Sequence, residues 1–372
     1  MDINVKVKND LQIRAFYLFF IVTGTQIGVG MMGYPMYVYN EAKQDSWISI
    51  LIAYVYLMVV VYVMYLILKQ YKNADILGIQ VDVFGKWIGK LLGTIYMIHF
   101  TVGLITVFVT YIEVVQIFIF PQLSSFVMGG LLLILIIYGA LGGLRVIVGV
   151  AFIFFFLTQW LLFLFYEPIM KMEFNNFQPY FEATIPELLQ GAKKTTFTFV
   201  GFEILFFVYP FIQNKQKAKR PIFLGITYTA LIALLQMVIA IGFFSPGLLG
   251  QLEWAVLTLF KGSKLPFINR IDFIVIAEWI MVIVPVMLLL IWMITYGMKR
   301  LYNIPRKFTL FTVALLLFIS CGFISRHTYV IKLTDAYSVI SFWIVYVYPF
   351  ILLPIVWIKR RWDKKRKGGG KK

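Results

Sequence analysis

Long apolar runs follow one another from Leu11 to Ile358, separated by short and mostly basic loops. Each run is about the length of a helix that crosses a hydrocarbon core about 30 Å thick, which takes ~20 mostly apolar residues. The chain is therefore read as an all-α, multi-pass membrane protein. Composition agrees, with 61% hydrophobic and only 14% charged residues in 372, and it leaves no room for a sizeable soluble domain. A formal net charge of +17 would suit nucleic acid only if the basic residues clustered on a soluble surface, and here they lie between apolar runs. The single cysteine, Cys321, excludes an internal disulfide and supplies no metal cluster.

Polar, Pro and Gly interruptions divide the apolar sequence into ten expected spans: about 11–38, 47–68, 91–117, 126–142, 146–166, 193–213, 221–245, 270–298, 308–324 and 336–358. The turn "GALGGLR" separates the fourth from the fifth. With the amino terminus inside, inner segments carry 25 of the 34 Lys and Arg and outer loops carry 9, as expected of cytoplasmic loops. Both termini are thus placed in the cytoplasm. The first apolar segment is too long for a signal-peptide core and should stay as a span. Residues 1–358 form one bundle, and 359–372 a basic cytoplasmic tail able to hold anionic headgroups. Glu167 to Gly191 is long enough for an outer lid or partner surface and is read as a solvated loop.

The first span contains "TGTQIGVGMMGYP", residues 23–35. Each glycine costs a helix about 1 kcal/mol relative to alanine, so Gly24, Gly28, Gly30 and Gly33 weaken it together. Gly24 and Gly28, four apart, fit close helix packing. The sixth span, five helices later, reads "TTFTFVGFEILFFVYP" and ends in Tyr209-Pro210, as the first glycine run ends in Tyr34-Pro35. Interrupted helices at matching places in two halves point to a transporter-type site built from inverted repeats. The expected architecture is a 5+5 inverted repeat of the LeuT type with helices 1 and 6 broken, the repeats covering about 11–166 and 193–358.

"GTQIGVGM" (Gly24 to Met31) resembles the first-helix signature of the amino acid, polyamine and organocation transporter superfamily, and "FTFVGFE" (Phe197 to Glu203) its sixth-helix signature. Within that superfamily the whole chain resembles the B subunit of bacterial spore germinant receptors, in its ten spans, its short length and "PFIQNKQKAKR" directly after helix six. The resemblance implies a subunit that binds a small amino acid or related nutrient germinant and signals to a larger A subunit and a C lipoprotein in the spore inner membrane. A free-standing amino acid permease needs the same pocket.

In such a fold the broken helices offer backbone groups to a ligand near the midplane. The N–H groups around Gly28 to Gly30 start the outer half of helix one, a positive end suited to a carboxylate. Carbonyls around Thr23 to Gln26 and Phe199 to Gly201 suit an ammonium, so a zwitterionic amino acid is the expected ligand class. The expected ligand-binding residues are Gly24, Thr25, Gln26, Gly28, Gly30, Phe199, Val200, Gly201 and Glu203. A carboxylate such as Glu203 at the centre of a span costs roughly 2.5–3.5 kcal/mol to insert. It is read as a ligand or gate group, a tie across the broken helix, or a coupled proton site. His99 and Thr101 in helix three, and Trp292, Thr295 and Tyr296 in helix eight, are candidates for the cavity lining. Glu113 and Glu278 lie nearer outer ends, where water or a basic partner is within reach. Two histidines and one cysteine far apart form no nucleophile and base arrangement. Neither enzymatic activity, nor a metal, nor a cofactor is expected.

Overall fold

A computed structural model describes residues 2–262, 271–323 and 327–368. Lys264, Arg270 and Arg326, counted above toward the outer side, and residues 369–372 of the tail lie outside the described residues. The helices run in chain order α1 (Leu18–Gln26), α2 (Gly30–Ala42), α3 (Ser46–Lys69), α4 (Ile76–Phe118), α5 (Ser125–Leu141) and α6 (Gly143–Thr158). Then come α7 (Tyr166–Met170), α8 (Ile185–Lys194), α9 (Thr196–Phe199), α10 (Leu205–Val208) and α11 (Lys219–Phe243). The last are α12 (Pro246–Leu249), α13 (Ala255–Lys261), α14 (Ile271–Tyr302), α15 (Arg306–Phe323), α16 (His327–Ser341) and α17 (Tyr348–Gly368).

Helical structure falls on all ten expected segments. Among the described residues, six stretches are long and apolar enough to cross a membrane: Gly30–Lys69, Ile76–Phe118, Gly143–Met170, Lys215–Phe243, Ile271–Tyr302 and His327–Asp363. Ala15–Gln26, Ser125–Leu141 and Thr196–Phe211 are shorter apolar helical pieces. α14 is the central strut, packed on α4, α6, α1 and α5, while α1 also lies against α11.

Three expected boundaries move for visible reasons. α4 begins at Ile76 rather than 91, because the Asp75 side chain caps it by accepting the Gly78 N–H at 2.7 Å, and the helix bends at Gly85, where φ is +82°. The tenth helix begins at His327 rather than 336, and a π-helical turn over Phe342–Val347 joins α16 to α17. The stretch read as a solvated loop contains α8, whose start is fixed by a capping box: Glu187 accepts from the Thr184 N–H and hydroxyl, each at 2.7 Å. α8 packs on α2 and α3, and Gly191 meets Ser49 there.

The segments expected inside gather on one face. The Val5 N–H donates to the Asn73 carbonyl at 2.8 Å, and Ile13 exchanges backbone bonds with Phe211 and Gln213. Arg145 reaches the carbonyls of Asn9 and Gln12, and the Arg360 guanidinium stacks 3.8 Å from the Tyr71 ring centre. The amino-terminal segment and the start of the tail therefore share a face. On the other face Asn40 donates to the Gly250 carbonyl, and the Asp45 carboxylate accepts from the Phe181 and Ala183 N–H groups.

Candidate ligand site at two broken helices

Both interruptions are true helix ends. α1 stops at Gln26, Ile27 turns extended (φ −79°, ψ 98°), and α2 starts at Gly30. α9 stops at Phe199, Val200 is extended (φ −63°, ψ 157°), and Gly201 takes φ +117° before a 3-10 turn over Phe202–Ile204. A positive φ excludes a β-carbon without strain, and a Cβ at Gly201 would sit 2.7 Å from the Thr25 carbonyl oxygen. The two breaks thus touch each other, backbone to backbone.

The four glycines of the first span do four different things. A Cβ at Gly24 would touch Ala151 and Pro285 at 3.7 and 3.8 Å, so this glycine faces helix neighbours. Gly28 borders a cavity and has only Val286 near it, at 3.7 Å. Gly30 lies under α9, where a Cβ would come within 3.0 Å of the Thr198 Cα, and Gly33 lies under the Glu253 carbonyl at 2.6 Å.

Three side chains bond across the sixth-span break, while the Phe202 and Glu203 N–H groups have no partner among the described residues. Glu203 Oε2 accepts the Gly201 N–H at 2.7 Å, and Oε1 lies 3.2 Å from His99 Nε2 with both side chains buried. The His99 ring stacks on Tyr337 (centroids 5.0 Å, 17°). Gln26 Nε2 donates to the Phe199 carbonyl at 2.8 Å. Of the three roles considered for Glu203, the tie across the broken helix is the one with visible bonds. At the first-span break, too, the N–H groups of Gly28 and Val29 have no hydrogen-bond partner among the described residues, and neither does Gln26 Oε1, which is buried. His99 Nδ1 is likewise buried without a partner.

Between the breaks lies a cavity of about 30 Å³, bordered by Thr25, Gln26, Gly28, Val29, Gly30, Val107, Phe197, Thr198, Val200, Gly201, Val286, Leu290 and Tyr337. That is room for about one or two waters, too little for an amino acid. Phe197 and Tyr337, edge to face with centroids 6.0 Å apart, border it, and Phe197 also borders a larger vestibule. Val29, Gly30, Phe197 and Thr198 border both spaces.

Thr25, Gln26, Gly28, Gly30, Val200 and Gly201 come together at the cavity, whereas Gly24, Phe199 and Glu203 are not on its border. The candidates Thr101, Trp292, Thr295 and Tyr296 are not on it either. Thr101 donates to the Met97 carbonyl at 2.8 Å, and Thr295 to that of Trp292 at 3.1 Å. Trp292 and Tyr296 stack on each other (5.2 Å, 9°) and meet Phe211 edge to face, and the Tyr296 hydroxyl donates to Asp75 at 2.5 Å. Arg300 Nε lies 3.0 Å from the same fully buried carboxylate. The register of α14 puts Val286 and Leu290 on the cavity, and the next turns belong to a seal on the face of the amino-terminal segment. Glu278 accepts from the Trp160 indole at 2.6 Å, a neutral donor in place of a base.

Sequence reasoning missed Tyr337 and Phe197 as border residues, and the Asp75–Arg300 pair. The last had a signal, since Asp75 directly precedes an apolar helix in the N-cap position. At the vestibule's outer rim His327 bridges Glu113 and Glu253, at 2.9 Å from each. Burial pushes the Glu253 carboxyl above its ordinary value; His327 opposes that shift and Glu113 adds to it.

Residues 12–329 match the model of a family described as spore germination protein. The chain belongs to the spore germination protein family. It is 32% identical over 349 residues to spore germination protein GerQB of Bacillus cereus, covering 94% of this chain and 96% of that relative. It is 24% identical over 280 residues to spore germination protein B2 of Bacillus subtilis (strain 168), covering 73% and 75%. Its fold is similar to a solved structure described as the substrate-bound outward-open state of a Na+-coupled sialic acid symporter, with TM-score 0.65, 13% identity, and 90% and 79% of the two chains covered. The fold of this family member is therefore all-α and LeuT-like, with helices 1 and 6 broken, in a multi-pass membrane protein.

Proposed function

We propose that this chain is the nutrient-sensing subunit of a spore germinant receptor and binds a small amino acid or similar germinant between the two breaks. The observation that carries the reading is the pair of unpartnered N–H groups at Gly28 and Val29, at the positive start of α2 and beside the free Gln26 Oε1. A carboxylate suits the former and an ammonium the latter. Because the cavity is too small for an amino acid, we take Phe197 and Tyr337 on its border to part as a ligand enters, and binding then favours whichever arrangement leaves room for it. The inner seal, reinforced by the amino-terminal segment, keeps that movement on the outer side. Ten crossings in two inverted halves, both termini in the cytoplasm, and a place in the spore inner membrane beside an A subunit and a C lipoprotein complete the proposal.

The symporter-like fold supports a second reading, a permease working by alternating access. Purified protein alone in liposomes, given labelled amino acids outside, separates the two. The sensor reading expects binding without net accumulation, and robust saturable uptake without partners would defeat it.

A further inference from the structure

The vestibule outside Phe197 has its own chemistry. It encloses about 80 Å³ and is bordered by Glu113, Glu253 and Asp335, with Thr110, Tyr37 and Trp254 among them. Three carboxylates face one space in a chain whose formal net charge is +17. Lys194 also borders the space but lies 3.4 Å from Glu41, and His327 at the rim is bound to both Glu113 and Glu253. Asp335 is exposed and has no bonding partner among the described residues.

Two further groups aim at a ligand. Thr110 is only 4% exposed, yet its hydroxyl has no hydrogen-bond partner among the described residues. Buried threonines in these helices ordinarily return their hydroxyl to the preceding turn, as Thr106 does to the Val102 carbonyl and Thr229 to that of Gly225. Thr110 stands one turn before Glu113 and so shares its face. The Trp254 indole N–H is also buried without a partner. A buried polar group left unpaired costs about 1–3 kcal/mol, so a fold keeps two of them around one space at a cost that a bound partner removes.

We infer that the outer vestibule is a second binding site, for an organic ammonium group with a hydrogen-bond acceptor close to it. The ammonium lies among Asp335, Glu113 and the Thr110 hydroxyl, and the acceptor takes the Trp254 indole N–H. Carboxylates in a recess walled by apolar rings concentrate cations from solution. The further step, that a germinant pauses here before passing Phe197, rests on the proposed function, whereas the vestibule site itself does not.

The test uses labelled ethanolamine, an ammonium with a neighbouring hydroxyl, on purified full-length protein in nanodiscs carrying Gly28→Leu to fill the inner cavity. Saturable binding is expected, weakened about tenfold by Asp335→Asn and about threefold by Thr110→Val. N-acetylethanolamine, which lacks the charge, should not compete. Asp335 is exposed and unpartnered, so its variant keeps the fold. Absence of saturable binding, indifference to Asp335→Asn, or equal competition by sodium ions would each overturn the inference. Binding present in the unaltered chain but lost with Gly28→Leu would also overturn it while leaving the inner site intact.

Discussion

The two breaks are built from the same kind of sequence and differ in what they offer the cavity between them. At the sixth-span break the chain answers its own exposed backbone: Glu203 takes the Gly201 N–H, and Gln26 takes the Phe199 carbonyl. At the first-span break the N–H groups of Gly28 and Val29 stay open toward the cavity. Both glycine-bearing turns leave N–H groups without a partner among the described residues, Gly28 and Val29 at the first and Phe202 and Glu203 at the second, but only the first pair belongs to residues that border the cavity. The lesson is that an interrupted membrane helix is a ligand site only where the protein has not already supplied the ligand. Gly201 is then architecture, and Gly28 is recognition.

Substitutions should separate these roles, and the largest effect belongs to Gly201. Gly201→Ala forces a β-carbon into φ +117° and against the Thr25 carbonyl, combining backbone strain of about 1–3 kcal/mol with overpacking of about 1–3 kcal/mol. Folded protein recovered from membranes should fall sharply, as measured by size-exclusion chromatography in detergent. Normal recovery would mean the break is not held as described.

Next is Glu203→Ala, which frees the Gly201 N–H and leaves His99 Nε2 without its partner, at about 1–3 kcal/mol for each buried group left unpaired. Its melting temperature should drop, and Glu203→Gln, which keeps an acceptor for Gly201, should recover part of the loss. Equal damage from both would favour a charge role over the tie.

Gly28 should behave in the opposite way. Gly28→Leu is expected to leave recovery unchanged within about twofold while abolishing germinant response in spores that depend on this chain. Gly28→Ala meets only Val286 at 3.7 Å, so its stability should change by no more than about 1 kcal/mol. A Gly28→Leu chain that responds normally would put recognition elsewhere.

The smallest effect lies outside both breaks. Because burial raises the Glu253 carboxyl above its ordinary 4.5, its contribution to stability is full below that value and is lost as pH rises through the raised one. Glu253→Gln should flatten this part of a stability profile against pH, and an unchanged slope would mean the carboxyl is not desolvated in the folded protein.

Much of this was legible in the residues. "TGTQIGVGMMGYP" and "FTFVGFE" located both breaks, because interrupted helices at matching places in two spans point beyond close packing to unwound segments. Which groups stay free was not legible. That depends on Gln26 reaching 173 residues along the chain to Phe199, and on the register that turns Val286 and Leu290, not Trp292 and Tyr296, toward the cavity. Helix spacing gives a face but not what the face meets. Thr184 and Glu187 show the converse, a local capping signal inside a segment whose composition reads as loop.

The most direct test of the asymmetry follows the two glycine amides themselves. In protein labelled with 15N-glycine, with Gly28 and Gly201 assigned, an amino acid that triggers germination is titrated in and the amide resonances are tracked by NMR. The Gly28 amide should shift saturably as it gains an acceptor, while the Gly201 amide, already bonded to Glu203, should stay in place. A Gly201 resonance that moves while Gly28 does not would contradict the account.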